Sequence, residues 1–164
     1  MPYKDKDCLK HISPLFVELI NLCKSAKSQD EKRWYNSVLD RACRHMEYFI
    51  KPCVSVKAYQ KAQALGLGDI RRFEYSQRNK IKVSNIKVFH FEHVFPVGDM
   101  RKKLLSVKNP TSEAVEEVLE KADIAWVLVE EDKKLISLGY NSHRPDNPWD
   151  AYREAGIEIY RKTI

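Results

Sequence analysis

Two short stretches concentrate the residues whose types and spacing could do chemistry. The first is "VFHFEHVFP", from Val88 to Pro96, in which Glu92 and His93 stand side by side just before a proline. The second is Glu130-Glu131-Asp132, three acids that follow the apolar run "IAWVLV". A neutral imidazole, with an ordinary pKa near ~6.5, can take a proton from water. Carboxylates prefer hard cations such as Mg²⁺ or Mn²⁺. A base that activates water and a cation that neutralises the phosphate and the leaving oxygen are what phosphodiester hydrolysis needs. The loop "NSHRPDNP" adds Arg144, whose fork of N–H donors suits a scissile phosphate.

The elements that must position these residues can be read from pattern. "VFHFEHVF" alternates as a strand, with Phe89, Phe91, His93 and Phe95 on one face and Val88, His90, Glu92 and Val94 on the other. Adjacent residues therefore face opposite sides, so Glu92 and His93 meet at one site only if the strand breaks after Phe91. His90 reads as a packed or surface residue. "IAWVLV" has strand length, and the acids after it open a helix that Gly139 closes, where they also complement the helix dipole.

Upstream, residues 8–27 carry Leu15, Phe16, Leu19, Ile20 and Cys23 at helical spacing, with Pro14 suiting a helix start. Asp30 is the expected cap of a second helix whose stripe is Trp34, Val38, Ala42, Met46, Phe49 and Ile50, with Arg33, Arg41 and Arg44 pointing elsewhere. A third helix is expected over 55–65, stopped by Gly66. From residue 70 the pattern turns to alternation, in "RRFEY" and "KIKV", and continues as strand over 86–95. Further helices are expected over 99–105, after Asn109-Pro110-Thr111, and over 147–153, with a last strand over 157–160. The fold class is α+β: a helical, basic region over 1–68, then a small mixed core over 69–164.

Composition narrows the function classes. The net charge is +6, and it is uneven: residues 1–80 hold 16 Lys and Arg against nine acids, whereas residues 81–164 hold 13 against 14. A basic half joined to a neutral half suggests a polyanion-binding face, with nucleic acid as the partner. Lys57, Lys61, Arg71, Arg72, Arg78, Lys80, Lys82 and Lys87 are the candidates to track a phosphate backbone. No apolar run is long enough to cross a membrane, and the start "MPYKDKDCLK" lacks the apolar core of a secretory leader. Cys8, Cys23, Cys43 and Cys53 form no CxxC pair, so a zinc site is not expected; reduced thiols and a cytoplasmic location are.

"FEHVFPV", a helical insertion and "IAWVLVEEDKKLISLGY" together resemble the ββα-metal core of the HNH endonuclease superfamily, in its small free-standing phage and bacterial form. The resemblance extends to "NPWDAYREAGIEI" and leaves the helical first half outside it. It implies that His93 is the general base, that Glu92 binds the metal, and that the last ligand lies in the helix after the second strand. The family commonly places His there; this helix offers Glu130, Glu131 or Asp132 instead. The family's middle Asn has two candidates, Asn109 and Asn141.

The expected function is thus metal-dependent cleavage of nucleic acid, double-stranded DNA in a homing- or restriction-type enzyme, with Mg²⁺ or Mn²⁺ as cofactor. Two-strand cutting implies a homodimer. The alternatives are a non-catalytic nucleic-acid-binding module, a toxin-type ribonuclease that needs no metal, and a protein–protein adaptor built on the helical half.

Overall fold

The computed structural model describes residues 3–5, 7–83 and 86–160. Among these, the chain forms an α+β fold with its longest helices at the N-terminus and one three-stranded mixed sheet. Helix α1 (Cys8–Ser25) begins at Cys8 rather than at the expected Pro14, which lies inside it. Proline removes the amide that would bond the carbonyl of Lys10. Lys10 is exposed, so water can serve that carbonyl instead. Helix α2 (Gln29–His45) is capped by Ser28, not Asp30: the Ser28 hydroxyl accepts from the Glu31 amide at 3.1 Å. Glu31 in turn accepts from the Lys27 amide at 2.6 Å. Asp30 lies inside the first turn, where it complements the dipole. The buried stripe of α2 is Leu39 and Cys43, continuing to Met46 and Ile50, because α2 packs on both α1 and α4 (Val97–Ser106). Trp34 is 63% exposed, which corrects the expected stripe.

After strand β1 (Cys53–Val54), Ser55 caps α3 (Val56–Ala64). The alternating stretch beyond residue 70 is not strand. It folds as two 3-10 turns, Ile70–Arg72 and Tyr75–Ile81. Local side-chain bonds compete with a ladder here: Asp69 accepts from the Arg71 amide at 3.0 Å, and Gln77 accepts from the Glu74 amide at 3.2 Å. Strand β2 is accordingly shorter than expected, Phe89–His93. Helix α5 (Ser112–Leu119), strand β3 (Ile124–Leu128), α6 (Val129–Ser137) and α7 (Trp149–Glu154) complete the elements. The expected last strand contributes only a bridge between Ile159 and Ser55.

The sheet order is β1-β3-β2, with β1 parallel and β2 antiparallel to β3. All five residues of β3 are buried, as a central strand covered on both faces requires. One face, with Phe89, Phe91, Ile124, Trp126 and Leu128, joins the core of the N-terminal helices. The other, with Val94, Ala125 and Val127, packs under Leu135 of α6 and Tyr152 of α7. The sheet and the larger core both draw on residues from either side of position 68.

Two chain segments are tied together by Glu131, which is 5% exposed. Its Oε2 accepts from the Leu128 amide at 2.8 Å and from the Ser55 hydroxyl at 2.5 Å. Ser55 meanwhile accepts from the Ala58 amide at 3.1 Å, so one carboxylate fixes the starts of both α3 and α6. Removing it strands a buried amide and a hydroxyl, at about 1–3 kcal/mol each. Chemical denaturation of Glu131→Ala should show a loss of about 3 kcal/mol. Glu131→Gln, which keeps an acceptor oxygen, should lose less.

Candidate metal centre

The antiparallel register decides which side chains meet. Phe91 lies opposite Trp126, and Glu92 lies opposite Ala125. The aromatic pair stacks edge to face at 4.7 Å on the helical side of the sheet. His90 and Glu92 therefore emerge on the other side, above small or branched residues, where α6 and the loop after it cover them. Strand β2 is an edge strand and runs unbroken through His93, which pairs with Ile124.

Helix α6 starts directly after β3 and turns Asp132 toward the same place. His90 Nε2 lies 3.0 Å from Glu92 Oε2, and His90 Nδ1 lies 3.8 Å from Asp132 Oδ2. One ligand atom from each of the three falls within 4.8 Å of the others, and this is the group of metal-ligand type found among the described residues. Ligand atoms about 2.1 Å from one octahedral cation stand ~3 Å apart when adjacent and ~4.2 Å when opposite, so a cation here would draw the three side chains somewhat closer together. Two carboxylates and an imidazole are a donor set that a divalent cation can accept. The side chains are partly buried, with exposures of 27%, 13% and 18% for His90, Glu92 and Asp132. Burial raises the Asp132 carboxyl, and the nearby Glu92 adds to this, while His90, Lys87 and Arg144 oppose it.

Cations brace the group. Lys87 Nζ sits 2.8 Å from His90 Nδ1 and Glu92 Oε2 lies 3.0 Å from Nε2, so a cation reaching the ring would displace one of these two contacts. Arg144 Nη2 donates to Glu92 Oε1 at 2.8 Å from a side chain only 1% exposed. This guanidinium orients Glu92 rather than standing open to a phosphate. The Arg144 amide and the His143 ring both meet Asp99 Oδ2 at 3.0 Å, so a buried acid on α4 holds the loop that delivers Arg144.

The remaining sequence candidates fall in different places. Glu131 is committed to the two helix starts, and Glu130 is exposed. His93 lies on the opposite face from Glu92; its buried Nε2 is 3.5 Å from Glu47 Oε2 and has no hydrogen-bond partner among the described residues, while the ring also meets the Arg44 backbone. Burial lowers its pKa, which keeps the imidazole neutral at pH 7. Because β2 has a free edge, both faces border one cleft of about 760 Å³, which takes in His90 and Glu92 from one side and His93 and Glu47 from the other. A strand edge thus brings to one cleft what strand alternation separates.

Arg78, Lys82 and Lys87 line this cleft, joined by Arg44 of α2, which pattern alone had pointing elsewhere. Asn141 lines it too, whereas Asn109 lies in the exposed link before α5. Lys57 and Lys61 are on the exposed side of α3. Arg71 pairs with Asp69, Arg72 donates to the Leu67 carbonyl at 3.1 Å, and Lys80 is exposed; none of these borders the cleft. His90 is the ligand that sequence reasoning passed over. Its signal was the i, i+2 spacing with Glu92, which puts both on one face of a strand.

Manganese binding, followed by calorimetry or by loss of the free-ion EPR signal, should weaken at least ~10-fold in Asp132→Asn. A carboxylate must be ionised to bind, so affinity falls on acidification; with Asp132 raised, the fall begins at a higher pH than for an ordinary aspartate. A second pH effect comes from His93. Its folded pKa is lowered, so the unfolded chain binds the extra proton, and stability drops as pH falls below about 6.5. His93→Gln should flatten that part of a stability profile measured by thermal melts between neutral and mildly acidic pH.

Comparison with known proteins adds no relative: no protein-family model, no curated protein and no solved structure matches the chain.

Proposed function

We propose that the chain is a divalent-cation-dependent nuclease that hydrolyses phosphodiester bonds, with DNA as the first substrate to test. The observation that carries this reading is the group His90, Glu92 and Asp132, of which His90 and Glu92 line a cleft that also bears Arg44, Arg78, Lys82 and Lys87. In this reading the cation held by the three ligands neutralises charge on the phosphate and the leaving oxygen. His93, neutral and with a buried Nε2 that has no hydrogen-bond partner among the described residues, takes the proton from a water that enters from the cleft. Glu47 beside it stabilises the imidazolium that results. Arg144 holds Glu92 in place, and the cleft cations contact the flanking phosphates. The HNH resemblance belongs to this proposal through the order strand, strand, helix and through an acid in the first turn of α6. A cytoplasmic site of action belongs to it as well. The cysteines are free thiols, and no described helix is long and apolar enough to cross a membrane.

One observation favours a second reading. Burial raises the Glu47 carboxyl and lowers the His93 imidazole, and such a pair can act as acid and base on an RNA 2′-hydroxyl without a metal.

The test is cleavage of supercoiled plasmid and of a structured RNA, with Mg²⁺ or with EDTA. Mg²⁺-dependent nicking should fall at least ~100-fold in His93→Ala and in Asp132→Asn. RNA cleavage that persists in EDTA and in Asp132→Asn, but not in Glu47→Gln, would transfer the activity to the Glu47–His93 pair. Binding without cleavage in any condition would refute both.

A further inference from the structure

The cleft carries a feature that metal chemistry does not use. Tyr75, at the start of the second 3-10 turn, is 43% exposed and lines the cleft. The Arg78 guanidinium lies 4.1 Å from its ring centroid, and Arg78 Nη1 donates to the Tyr75 carbonyl at 3.1 Å. The Tyr75 ring also leans on Phe91 of β2, 5.7 Å away, which ties it to the strand that carries the ligands. An aromatic ring this exposed contributes little to the core, yet two contacts hold it in place. The guanidinium lies over one face of the ring, so the two form a cationic stack beside Arg44, Lys82 and Lys87. Nucleobases stack on both kinds of plane.

Accessibility of the base selects among nucleic acids. His90 and Glu92, which line the cleft, are themselves only partly exposed. In a paired duplex the bases are stacked inside and cannot reach a surface ring, whereas an unpaired strand can turn a base onto Tyr75 and lower its phosphate into the cleft.

We infer that Tyr75 and Arg78 form a stacking subsite for an unpaired nucleobase, so that the cleft takes a single-stranded or locally unpaired segment in preference to intact duplex. This rests on the nucleic-acid reading above and names its substrate class. Base–aromatic stacking is sequence-tolerant, so the subsite selects strand state and not sequence.

The experiment is fluorescence anisotropy in EDTA, which keeps binding separate from cleavage. The probes are a labelled oligothymidylate, an abasic strand of equal length and a duplex of equal length. Wild type should bind the oligothymidylate more tightly than the duplex. Tyr75→Ala should weaken oligothymidylate binding about 5- to 100-fold, and Tyr75→Phe should restore it. The abasic strand and the duplex should bind the Tyr75→Ala protein as they bind wild type, which also shows that the variant is folded. Unchanged oligothymidylate affinity in Tyr75→Ala, an equal loss on the abasic strand, tighter duplex binding or no binding of any probe would each overturn the subsite. Cleavage without a Tyr75 effect would leave the nuclease standing and remove the subsite. A Tyr75-dependent preference without Mg²⁺-dependent cleavage would do the reverse.

Discussion

The register of β2 on β3 is the constraint on which the candidate site depends. Side chains alternate along a strand, so a slip of one residue would exchange the two faces of β2 completely. It would drive His90 and Glu92 into the apolar core of the N-terminal helices and push Phe89 and Phe91 out beneath α6. The register is held from the apolar side. Phe91 meets Trp126 edge to face, and the indole N–H donates to the Phe73 carbonyl at 2.9 Å. That single buried tryptophan aligns the strand and anchors the segment that carries Tyr75.

On the polar side the difficulty is electrostatic. Two carboxylates and two cations share a partly buried space, and an unpaired charge there would cost several kcal/mol. The chain meets this with pairing rather than exposure. Arg144 bonds Glu92, Lys87 bonds His90, and Asp99 receives the amide of Arg144 and the ring of His143. Asp132 is the exception. Its carboxyl is raised by burial and has only the more distant His90 as an ion-pair partner. A carboxylate left this incompletely satisfied has the most to gain from a cation, and that is the physical sense of treating the group as a candidate metal centre.

The cleft follows from the position of β2 in the sheet. An edge strand presents one row of backbone groups to no partner and normally needs covering. Here the uncovered edge is flanked by Arg44 and Glu47 from the end of α2 and by the 3-10 turn of Tyr75. These residues come from far apart in the sequence. They meet because the helical half packs against one sheet face and wraps the edge.

Much of the architecture was legible from local pattern. The helix stops at Gly66 and Gly139, the cap at Thr111, the apolar run of β3 and the alternation of β2 each express physics that acts within a few residues. Even the opposite orientation of Glu92 and His93 is a property of any strand. The failures have two causes: Trp34 is turned outward because distant helices choose the buried face of α2, whereas Pro14 inside α1 and the coil beyond residue 70 rest on local solvation and local side-chain bonds that simple periodicity does not register. The site shows the same division. Sequence alone determined which residues had the chemistry to bind a cation or take a proton. Tertiary structure decided that Asp132 rather than Glu131 reaches Glu92, that Arg144 is spent on holding Glu92, and that His90 and His93 share one cleft. Residue type is a local property, but distance across a sheet edge is set only when the chain's distant segments pack.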